Sequence, residues 1–490
     1  MNGKLSRNFS ETLGVKQGNI NSSDDYKVYI NPALDTFERS QLGVQIGPVN
    51  VAVTGVADDL YLLANSQSKL QSLINIAENY GLKYRSKFGA EKTKITVVGP
   101  EVDVKNFKET SPWTIGGDRI KVTENNEHLG QVVSGKDQIT KNIDQSLRNG
   151  RKSLFALLGP AFAYKCLLGP LVKIHLFRTF TCPRLRSGLA SFALRSNHMA
   201  PLSLFHRKTL KGFLNLSQTA PTPAIHFLFG ELPIEGKIHR DMFSLFFSVW
   251  CNPETKIYEI LKYLLENSLP NSHTWAVNLR HICKMYALDD PLTFLSKAPP
   301  SKSSFKELVM TKIAVFHENE LKNAAKSNSK MKFFNVSLSS LRGQHHPCLY
   351  NIVTTNDVRK LRIHLKFLTG DYLTKSQNNK SNNHECSICK KESDTIEHII
   401  ASCTAYKPIR DRILSEMLEV CLESKNLEMK TSWLQNNETI AQFILDPTSF
   451  NLTERVNLND SIVTKLFTLS RDMCFAIHTE RMRKLRILKQ

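Results

Sequence analysis

Two groups of residues in this chain have the types and spacing that metal chemistry requires. The first is Asp58-Asp59, which lies between two apolar runs, 51–56 and 60–64. These runs predict two strands joined by a tight acidic turn. Such a turn aims both carboxylates outward, and carboxylate oxygens are the hard ligands that Mg²⁺ prefers. Acidic turns also form for solubility and hydrogen bonding alone, so the pair by itself leaves both interpretations open.

The second group is Cys386-x2-Cys389-x8-His398-x4-Cys403. Two thiolates two residues apart form a knuckle that can hold Zn²⁺, and the later histidine and cysteine, at the start of a predicted helix, can complete a tetrahedron. Because four protein ligands fill the coordination shell, the pattern predicts a structural zinc and not a catalytic one. The alternative is a chance cluster of reduced thiols beside a helical histidine.

The remaining cysteines and histidines carry weaker signals. Three of the ten cysteines belong to the group above, and the others are scattered among mostly apolar residues. They predict small buried thiols and argue against a secreted disulfide scaffold. His345, His346 and Cys348 flank Pro347, but three ligands within four residues give poor tetrahedral geometry. We therefore predict a loop there.

The elements around the acidic turn follow the order hairpin, helix, strand. Residues 70–80 repeat apolar side chains at helical spacing, with Ser66 as the N-cap and Gly81 as the stop. Lys92 then opens an alternating strand that runs to Val98. This order predicts a sheet covered by helices on one face.

From about Gln138 onward the sequence becomes helical and basic. Four phenylalanines are interleaved with its Lys and Arg residues, and they fit either a core or stacking platforms for bases; they are Phe155, Phe162, Phe177 and Phe180. Helical patterns extend over 139–158, 165–180, 243–264 and 273–286, and polar segments at 298–304 and 375–383 predict exposed linkers.

Charge and hydropathy limit the function classes. Lys and Arg total 65 against 45 Asp and Glu, a net charge of +20. Nucleic acid is the default polyanion for such a surplus. The first residues are polar, and no window reaches about 18 uninterrupted apolar residues, so we predict neither a signal peptide nor a membrane span. We expect an intracellular protein, nuclear or cytoplasmic and not secreted, with no membrane partner.

Four short motifs follow one another in an order and spacing typical of a known family. They are Gly14-Val15-Lys16-Gln17-Gly18, Ala57-Asp58-Asp59, Lys92 and Glu127-His128-Leu129-Gly130. As a set they resemble the palm motifs of a reverse transcriptase from a non-LTR retrotransposon. The resemblance extends through the basic helices to residues 360–366, which precede the cysteines. The family also has a zinc segment after the thumb, at the position of these cysteines.

The resemblance implies an RNA-directed DNA polymerase. Two divalent metals, Mg²⁺ or Mn²⁺, would support nucleotidyl transfer from dNTPs onto a DNA primer at the target, with RNA as template. Asp58 would ligate a metal, Asp59 would be its neighbour in the catalytic turn, and Lys92 would lie near the leaving pyrophosphate. The resemblance further assigns nucleotide binding to Gln17 and Gly18, and primer grip to His128, Leu129 and Gly130.

The implied fold class is α+β, with five segments. They are a partial palm, an antiparallel sheet with helices, over 1–135; a helical thumb over 136–220; a helical connector over 221–375; a Cys-Cys-His-Cys zinc knuckle over 376–410; and a C-terminal helical region with a basic tail over 411–490. The tail, from Arg481 to Lys489, fits either a helix that lies on nucleic acid or a solvated helix end.

The chain departs from the family pattern at its start. The family has a further catalytic aspartate on a strand before the first motif, and only 13 residues precede Gly14. Asp24 and Asp25 follow the motif and are more simply a helix-start or loop pair. Because a two-metal site without that carboxylate is under-neutralised, we expect this chain alone to be inactive or nearly so. The alternative function is a non-catalytic nucleic-acid-binding remnant.

Overall fold

The described part of the chain combines many helices with short paired strands. A computed structural model describes residues 20–56, 59–86, 88–99, 101–163, 168–337, 340–374, 384–422, 436–450 and 460–488. The fold class is therefore α+β, as predicted. The predicted linker at 375–383 lies outside the described residues.

The helices are α1 (Ser22–Arg39), α2 (Gln67–Tyr84), α3 (Glu101–Thr110), α4 (Gln138–Ala163), α5 (Pro170–Leu176), α6 (Cys182–Arg186), α7 (Ser196–Phe213), α8 (Thr222–Phe229), α9 (Ile234–Trp250), α10 (Lys256–Asn267), α11 (Trp275–Met285), α12 (Pro291–Leu295), α13 (Lys302–Lys326), α14 (Thr355–Leu368), α15 (Lys407–Leu422), α16 (Asn437–Leu445) and α17 (Asp460–Ile487). π-Helical turns occur at Phe177–Thr181 and His398–Ser402.

The strands are β1 (Val44–Ile46), β2 (Val49–Val51), β3 (Val53–Val56), β4 (Asp59–Leu62), β5 (Lys94–Ile95), β6 (Thr114–Ile115), β7 (Asp118–Arg119), β8 (Lys121–Val122), β9 (Asn125–His128) and β10 (Gln131–Ser134). Among the described residues they pair in twos: β1 with β2, β3 with β4, β6 with β7 and β9 with β10 are antiparallel, and β5 with β8 is parallel.

Two compact units share these elements. Unit 1 comprises residues 1–142, 249–277 and 291–297, and unit 2 comprises 143–248, 278–290 and 298–490. Unit 1 thus holds the hairpin and primer-grip motifs, and unit 2 holds the Cys/His group. The five segments predicted above stay predictions, because they were defined by function and each unit draws on more than one of them.

The predicted hairpin is present in unit 1 as β3 and β4. Its register pairs Val56 with Asp59, so Asp59 is the first residue of β4, and residues 57 and 58 between the strands lie outside the described residues. Leu60 and Leu62 on β4 pack against a cluster of buried residues from α1 and α2 that includes Phe37 and Leu73. Because side chains alternate across a strand, this packing leaves the opposite face of the hairpin uncovered by that cluster.

Helix α2 begins as predicted and ends later than predicted. The hydroxyl of Ser66 accepts a hydrogen bond from the Lys69 backbone N–H at 3.3 Å, which confirms Ser66 as the N-cap. The helix continues past Gly81 to Tyr84, and Arg85 takes the left-handed turn with φ 55°. A Cβ at Gly81 would lie 2.6 Å from the Ser86 carbonyl oxygen, so the glycine permits the returning chain to approach.

Several predicted boundaries are wrong for local reasons. The predicted helix over 243–264 is two helices, because α9 ends at Trp250 and α10 begins at Lys256, with Pro253 between them. The strand predicted to open at Lys92 is β5, two residues later, and Lys92 lies in a turn where its N–H donates to the Gly89 carbonyl. Likewise, the linker predicted at 298–304 already contains Ser301, which caps α13.

The predicted helix over 165–180 is also divided. Residues 164–167 lie outside the described part of the chain, and α5 begins with Pro170 at its first position. The pair Asp24 and Asp25 lies in the first turn of α1, which confirms the helix-start interpretation.

Unit 2 buries a cluster of charged groups around Glu231. The carboxylate lies 2.6 Å from Arg178 Nε and 3.5 Å from His206 Nε2, and it also contacts the Lys237 ammonium group. Burial alone would raise the pKa of Glu231, but Lys237, His206 and Arg178 together hold it well below its ordinary value. The cluster therefore stabilises the unit only while Glu231 is ionised.

We predict that Glu231→Gln lowers the free energy of unfolding at pH 7 by about 3–5 kcal/mol, because it leaves buried cations without their partner. The lowered pKa means that this stabilisation is present above the ordinary carboxyl value of 4.5 and is lost as the pH falls below it. The variant should therefore lose less stability than the wild type on acidification. Urea denaturation followed by circular dichroism at pH 7 and pH 4 measures both effects.

The control is Glu320→Gln, which removes an exposed carboxylate from α13 in the same unit. It should change neither the stability at pH 7 nor its pH dependence. Parallel pH dependences for the wild type and Glu231→Gln would contradict the assigned role of Glu231.

Candidate functional site

The predicted Cys/His group is assembled in unit 2. The ligand atoms of Cys386, Cys389, His398 and Cys403 all lie within 4.8 Å of one another, and Cys389 Sγ is 3.1 Å from His398 Nε2. Metal–sulfur bonds of about 2.3 Å in a tetrahedron separate two sulfurs by roughly 3.8 Å. The cluster therefore has the donor types and the dimensions to hold a metal ion.

A tight turn presents the first two thiols. The Lys390 N–H donates to the Cys386 carbonyl at 3.0 Å, and the Cys386 N–H donates to the Glu392 carbonyl at 2.8 Å. Lys390 has a φ of 54°, which reverses the chain directly after Cys389. These bonds close the knuckle that the spacing of the two cysteines predicts.

A π-helical turn presents the other two ligands. His398 begins the turn His398–Ser402, and the Cys403 N–H donates to the His398 carbonyl at 2.7 Å. Residues five apart lie on different sides of an α-helix, whereas a bond between positions i and i+5 brings them to the same side. The helical start predicted at His398 is thus present. It is a π-helical turn, which places His398 and Cys403 on the same side so that both can ligate one metal ion.

The second nitrogen of His398 is held by a carboxylate. His398 Nδ1 lies 2.7 Å from Glu392 Oε2, and the Ser402 hydroxyl donates to the same oxygen at 2.7 Å. Hydrogen bonds to Cys386 and Glu392 raise the pKa of His398 to about 9 against the opposing effect of burial. Hydrogen bonds from Ser402 and His398 lower the pKa of Glu392. This arrangement turns Nε2 toward the thiols, as in carboxylate–histidine–metal sites.

The thiols themselves are electrostatically unequal. A hydrogen bond from Cys403, supported by the N–H groups of Cys389 and Ile388, lowers the pKa of Cys386. The same hydrogen bond and burial raise the pKa of Cys403. A divalent cation would replace the proton between these two sulfurs, because thiolates and not thiols ligate metals.

Helix α17 packs against the segment that carries these ligands. Arg481 Nη2 lies 2.7 Å from Asp394 Oδ2, and both residues are buried. The Lys484 ammonium group donates to the Ala405 carbonyl at 3.2 Å. Both interpretations predicted for the basic tail are therefore wrong for Arg481, which lies neither on a nucleic-acid surface nor in solvent. Its buried charge is matched by Asp394.

The acidic hairpin places Asp59 on the face opposite the α1–α2 packing. Asp59 is exposed and shares this face with Tyr61, two residues along β4. The Tyr61 ring stacks on the His128 ring with their centroids 5.0 Å apart, and burial raises the pKa of Tyr61. Asp58, Gln17 and Gly18 lie outside the described residues.

The primer-grip motif forms the tip of a second hairpin. β9 ends at His128 and β10 begins at Gln131, with Leu129 and Gly130 in the turn at φ 50° and 75°. The structure therefore brings His128 to the hairpin that carries Asp59. Lys92 is exposed in its turn, and among the described residues its ammonium group forms no ion pair with this hairpin.

Sequence reasoning missed the residues that support the Cys/His cluster. Glu392, Ser402 and the Asp394–Arg481 pair were not predicted. Two of these residues could have been predicted from their positions near the ligands. Glu392 lies between the second and third ligands, and Ser402 lies four residues after His398. Nothing in the sequence near Arg481 indicates its pairing, because Asp394 is distant in the sequence.

His345 and His346 are not metal ligands among the described residues. His345 Nδ1 is 2.9 Å from the Phe229 carbonyl oxygen, and the His346 ring accepts from the Cys348 N–H at the start of a short helical turn, Pro347–Leu349. The prediction of a loop is confirmed, apart from this single turn.

No protein-family model matches the chain, and no curated protein matches it. The resemblance to a reverse transcriptase therefore rests on the quoted motifs alone. Across the described ranges, every helix is too short or too polar to span a bilayer.

We predict that Co²⁺, as a spectroscopic probe, binds the cluster with the absorption bands of a tetrahedral thiolate site. Cys386→Ser with Cys389→Ser should abolish these bands, because two of the four ligands are removed. Glu392→Gln should weaken Co²⁺ binding by about 10–100-fold, because it removes the carboxylate that orients His398. An absorbance titration of the reduced protein measures both.

Matched controls are Cys251→Ser, which removes an exposed thiol, and Glu419→Gln, which removes an exposed carboxylate from α15. Both should bind Co²⁺ as the wild type does. Tetrahedral bands that survive the double cysteine substitution would show that the metal binds elsewhere.

Proposed function

We propose that the chain is part of a reverse transcriptase of the non-LTR retrotransposon class, acting on an RNA template and a DNA primer. The observation that supports this best is the pairing of motifs in unit 1. Asp59 is exposed on the hairpin face where Tyr61 stacks on His128. A polymerase needs its carboxylates and its primer-end contacts on one side of the sheet, because the metals and the primer terminus meet there.

In this proposal, the Asp58–Asp59 turn holds Mg²⁺ or Mn²⁺ for in-line nucleotidyl transfer. The opposite face of the hairpin is anchored through Leu60 and Leu62, so the turn is supported by a packed core. His128, Leu129 and Gly130 contact the primer, Gln17 and Gly18 border the dNTP, and Lys92 approaches the pyrophosphate from its exposed turn.

The assignment predicts that any primer extension on an RNA template depends on the acidic turn. Asp58→Ala and Asp59→Ala should each reduce extension by roughly 10²-fold or more, because each removes charge at the developing transition state. Extension assays with Mg²⁺ and with Mn²⁺ measure this. Asp118→Ala, which removes an exposed aspartate from β7 in the same unit, is the control and should have no effect.

Extension that persists in both aspartate variants would contradict the polymerase assignment. Tight, salt-dependent binding of primer–template without extension under any metal condition would instead support the non-catalytic nucleic-acid-binding remnant, because the missing first aspartate leaves this chain alone inactive or nearly so.

A non-catalytic nucleic-acid-binding function is the second candidate, and a separate observation favours it. Helix α4 presents Arg148, Arg151, Lys152 and Phe155 at positions three and four residues apart, and all four are exposed. Phe155 is 64% exposed, so most of its ring is accessible to a ligand. Residues at this spacing lie on one face of a helix.

The sequence left two interpretations open for four phenylalanines, which were core side chains or stacking platforms for bases, and the structure places them differently. Phe177 is fully buried and belongs to the core, whereas Phe155 and Phe180 are 64% and 48% exposed. The Phe162 side chain lies outside the described residues. Cations contact phosphates without regard to sequence, and an exposed ring can stack on any base. Phe155 beside three cations suits such a contact.

We predict that Arg148→Ala, Arg151→Ala and Lys152→Ala together reduce the salt dependence of duplex binding. The slope of log K against log salt should become smaller by about 3, since each phosphate contact contributes about 0.9. Phe155→Ala should weaken single-strand binding by roughly 1–3 kcal/mol. Fluorescence anisotropy at several salt concentrations measures both.

A control with the same loss of charge combines Lys262→Ala, Lys284→Ala and Lys326→Ala, three exposed lysines on other helices. It should leave the slope within one unit of the wild type. Equal effects of the two triple variants would show that net charge, and not the α4 face, drives binding.

The metal of the Cys/His cluster in this proposal is Zn²⁺ with a structural role. Three thiols and one imidazole are the soft donor set that favours zinc, and four protein ligands leave no position for substrate. The bound ion would stabilise the ligand segment and, through Asp394 and Arg481, the docking of α17. In the cobalt titration, Zn²⁺ is expected to displace Co²⁺.

A further inference from the structure

A cleft in unit 2 lies between α9 and α13, and none of the sites above uses it. Its volume is about 320 Å³, and it is lined by aromatic side chains and by cations. Small-molecule sites are concave, largely apolar and have a few convergent polar groups, with volumes from about 300 Å³ upward. This cleft has the size and lining of such a site.

One wall of the cleft is aromatic. The rings of Phe247 on α9 and Phe305 on α13 stack with their centroids 4.9 Å apart and 21° between their planes. They are 7% and 4% exposed. Because both rings line the cleft and their stacking fixes them in place, they present a rigid apolar wall there, which suits contact with a planar ring.

The rim of the cleft has an excess of positive charge. Arg240, Lys302 and Lys306 line it, and the carboxylate in the lining is Asp241. Asp241 is already paired with Arg186 and lies 3.2 Å from Arg240 Nη2. Lys302 and Lys306 stand one turn apart on α13, and among the described residues neither forms an ion pair. Two cations are therefore left for an anion.

We propose that this cleft binds one nucleotide unit, with the base against Phe247 and Phe305 and the phosphate at Lys302 and Lys306. An inorganic anion would not use the aromatic wall, and an uncharged aromatic compound would leave the cations unsatisfied. A nucleotide satisfies both, because it joins a planar ring to a phosphate at a spacing that a cleft of this volume can span. The inference does not depend on the polymerase assignment.

The test is isothermal titration of the full chain with AMP, with inorganic phosphate and with adenosine. AMP should bind saturably and more tightly than either fragment. Lys302→Ala with Lys306→Ala should weaken AMP binding by about tenfold or more, because charge-assisted contacts to phosphate are removed. Lys322→Ala with Lys326→Ala, on the same helix outside the cleft, should have no effect.

The aromatic wall is tested by two variants of Phe305. Phe305→Leu should weaken AMP binding and leave phosphate binding unchanged, whereas Phe305→Tyr should retain AMP binding. The thermal midpoint of each variant shows whether it is folded, and if Phe305→Leu unfolds, Phe305→Tyr and the lysine pair still decide the result.

The source of the nucleotide is distinguished by competition. A 5′-phosphorylated oligonucleotide that displaces AMP more strongly than AMP itself would support a nucleic-acid terminus as the ligand, and equal or weaker displacement would support a free nucleotide. The proposal is overturned if AMP shows no saturable binding at millimolar concentration. It is also overturned if phosphate binds as tightly as AMP, or if the Lys302/Lys306 variant binds AMP as the wild type does.

Discussion

Three thiols and an imidazole lie within 4.8 Å of one another, with Cys389 half-buried and the other three residues buried, and this crowding constrains the segment that carries them. Ionised sulfurs at that separation repel one another, so the set favours a shared proton, as between Cys403 and Cys386, or a metal cation in its place. The ligand segment is built from a tight turn and one π-helical turn, and its Ile399 and Ile400 side chains are fully buried. Helix α17 docks on that segment through the buried pair of Arg481 and Asp394. The ligand cluster and the C-terminal helix are therefore connected through a buried ion pair.

The β3–β4 hairpin exposes an acidic side chain on a strand that is held in place by core packing. Alternation along β4 sends Leu60 and Leu62 into the core and leaves Asp59 and Tyr61 on the other face. The His128 ring covers Tyr61 and not Asp59. The carboxylate thus keeps its hydration while the strand beneath it is held in place.

Unit 2 contains two different arrangements of charged side chains, one buried and one at an exposed rim. Around Glu231, the cations and the carboxylate satisfy one another inside the core, and this favours a single packed arrangement. At the α9–α13 cleft, Asp241 is paired with Arg186 and Arg240, whereas Lys302 and Lys306 form no ion pair within the described ranges and lie near an aromatic wall. The first arrangement serves stability. The second has more positive than negative charge, so a bound anionic ligand would balance it, as polar groups in small-molecule sites do.

The sequence by itself determined the features whose geometry is set within a few residues. These include the ligand set from Cys386 to Cys403, the β3–β4 hairpin and the Ser66 cap, since turns, caps and metal knuckles form between near neighbours. Only the tertiary structure decided which charges are buried and which rings are exposed. From the sequence, Arg481 belongs to an exposed basic run, and only the structure shows that it is buried against Asp394. Similarly, the sequence does not distinguish Phe155, which is exposed, from the buried phenylalanines. Burial depends on which residue, far along the chain, covers a side chain, and periodicity carries no information about that.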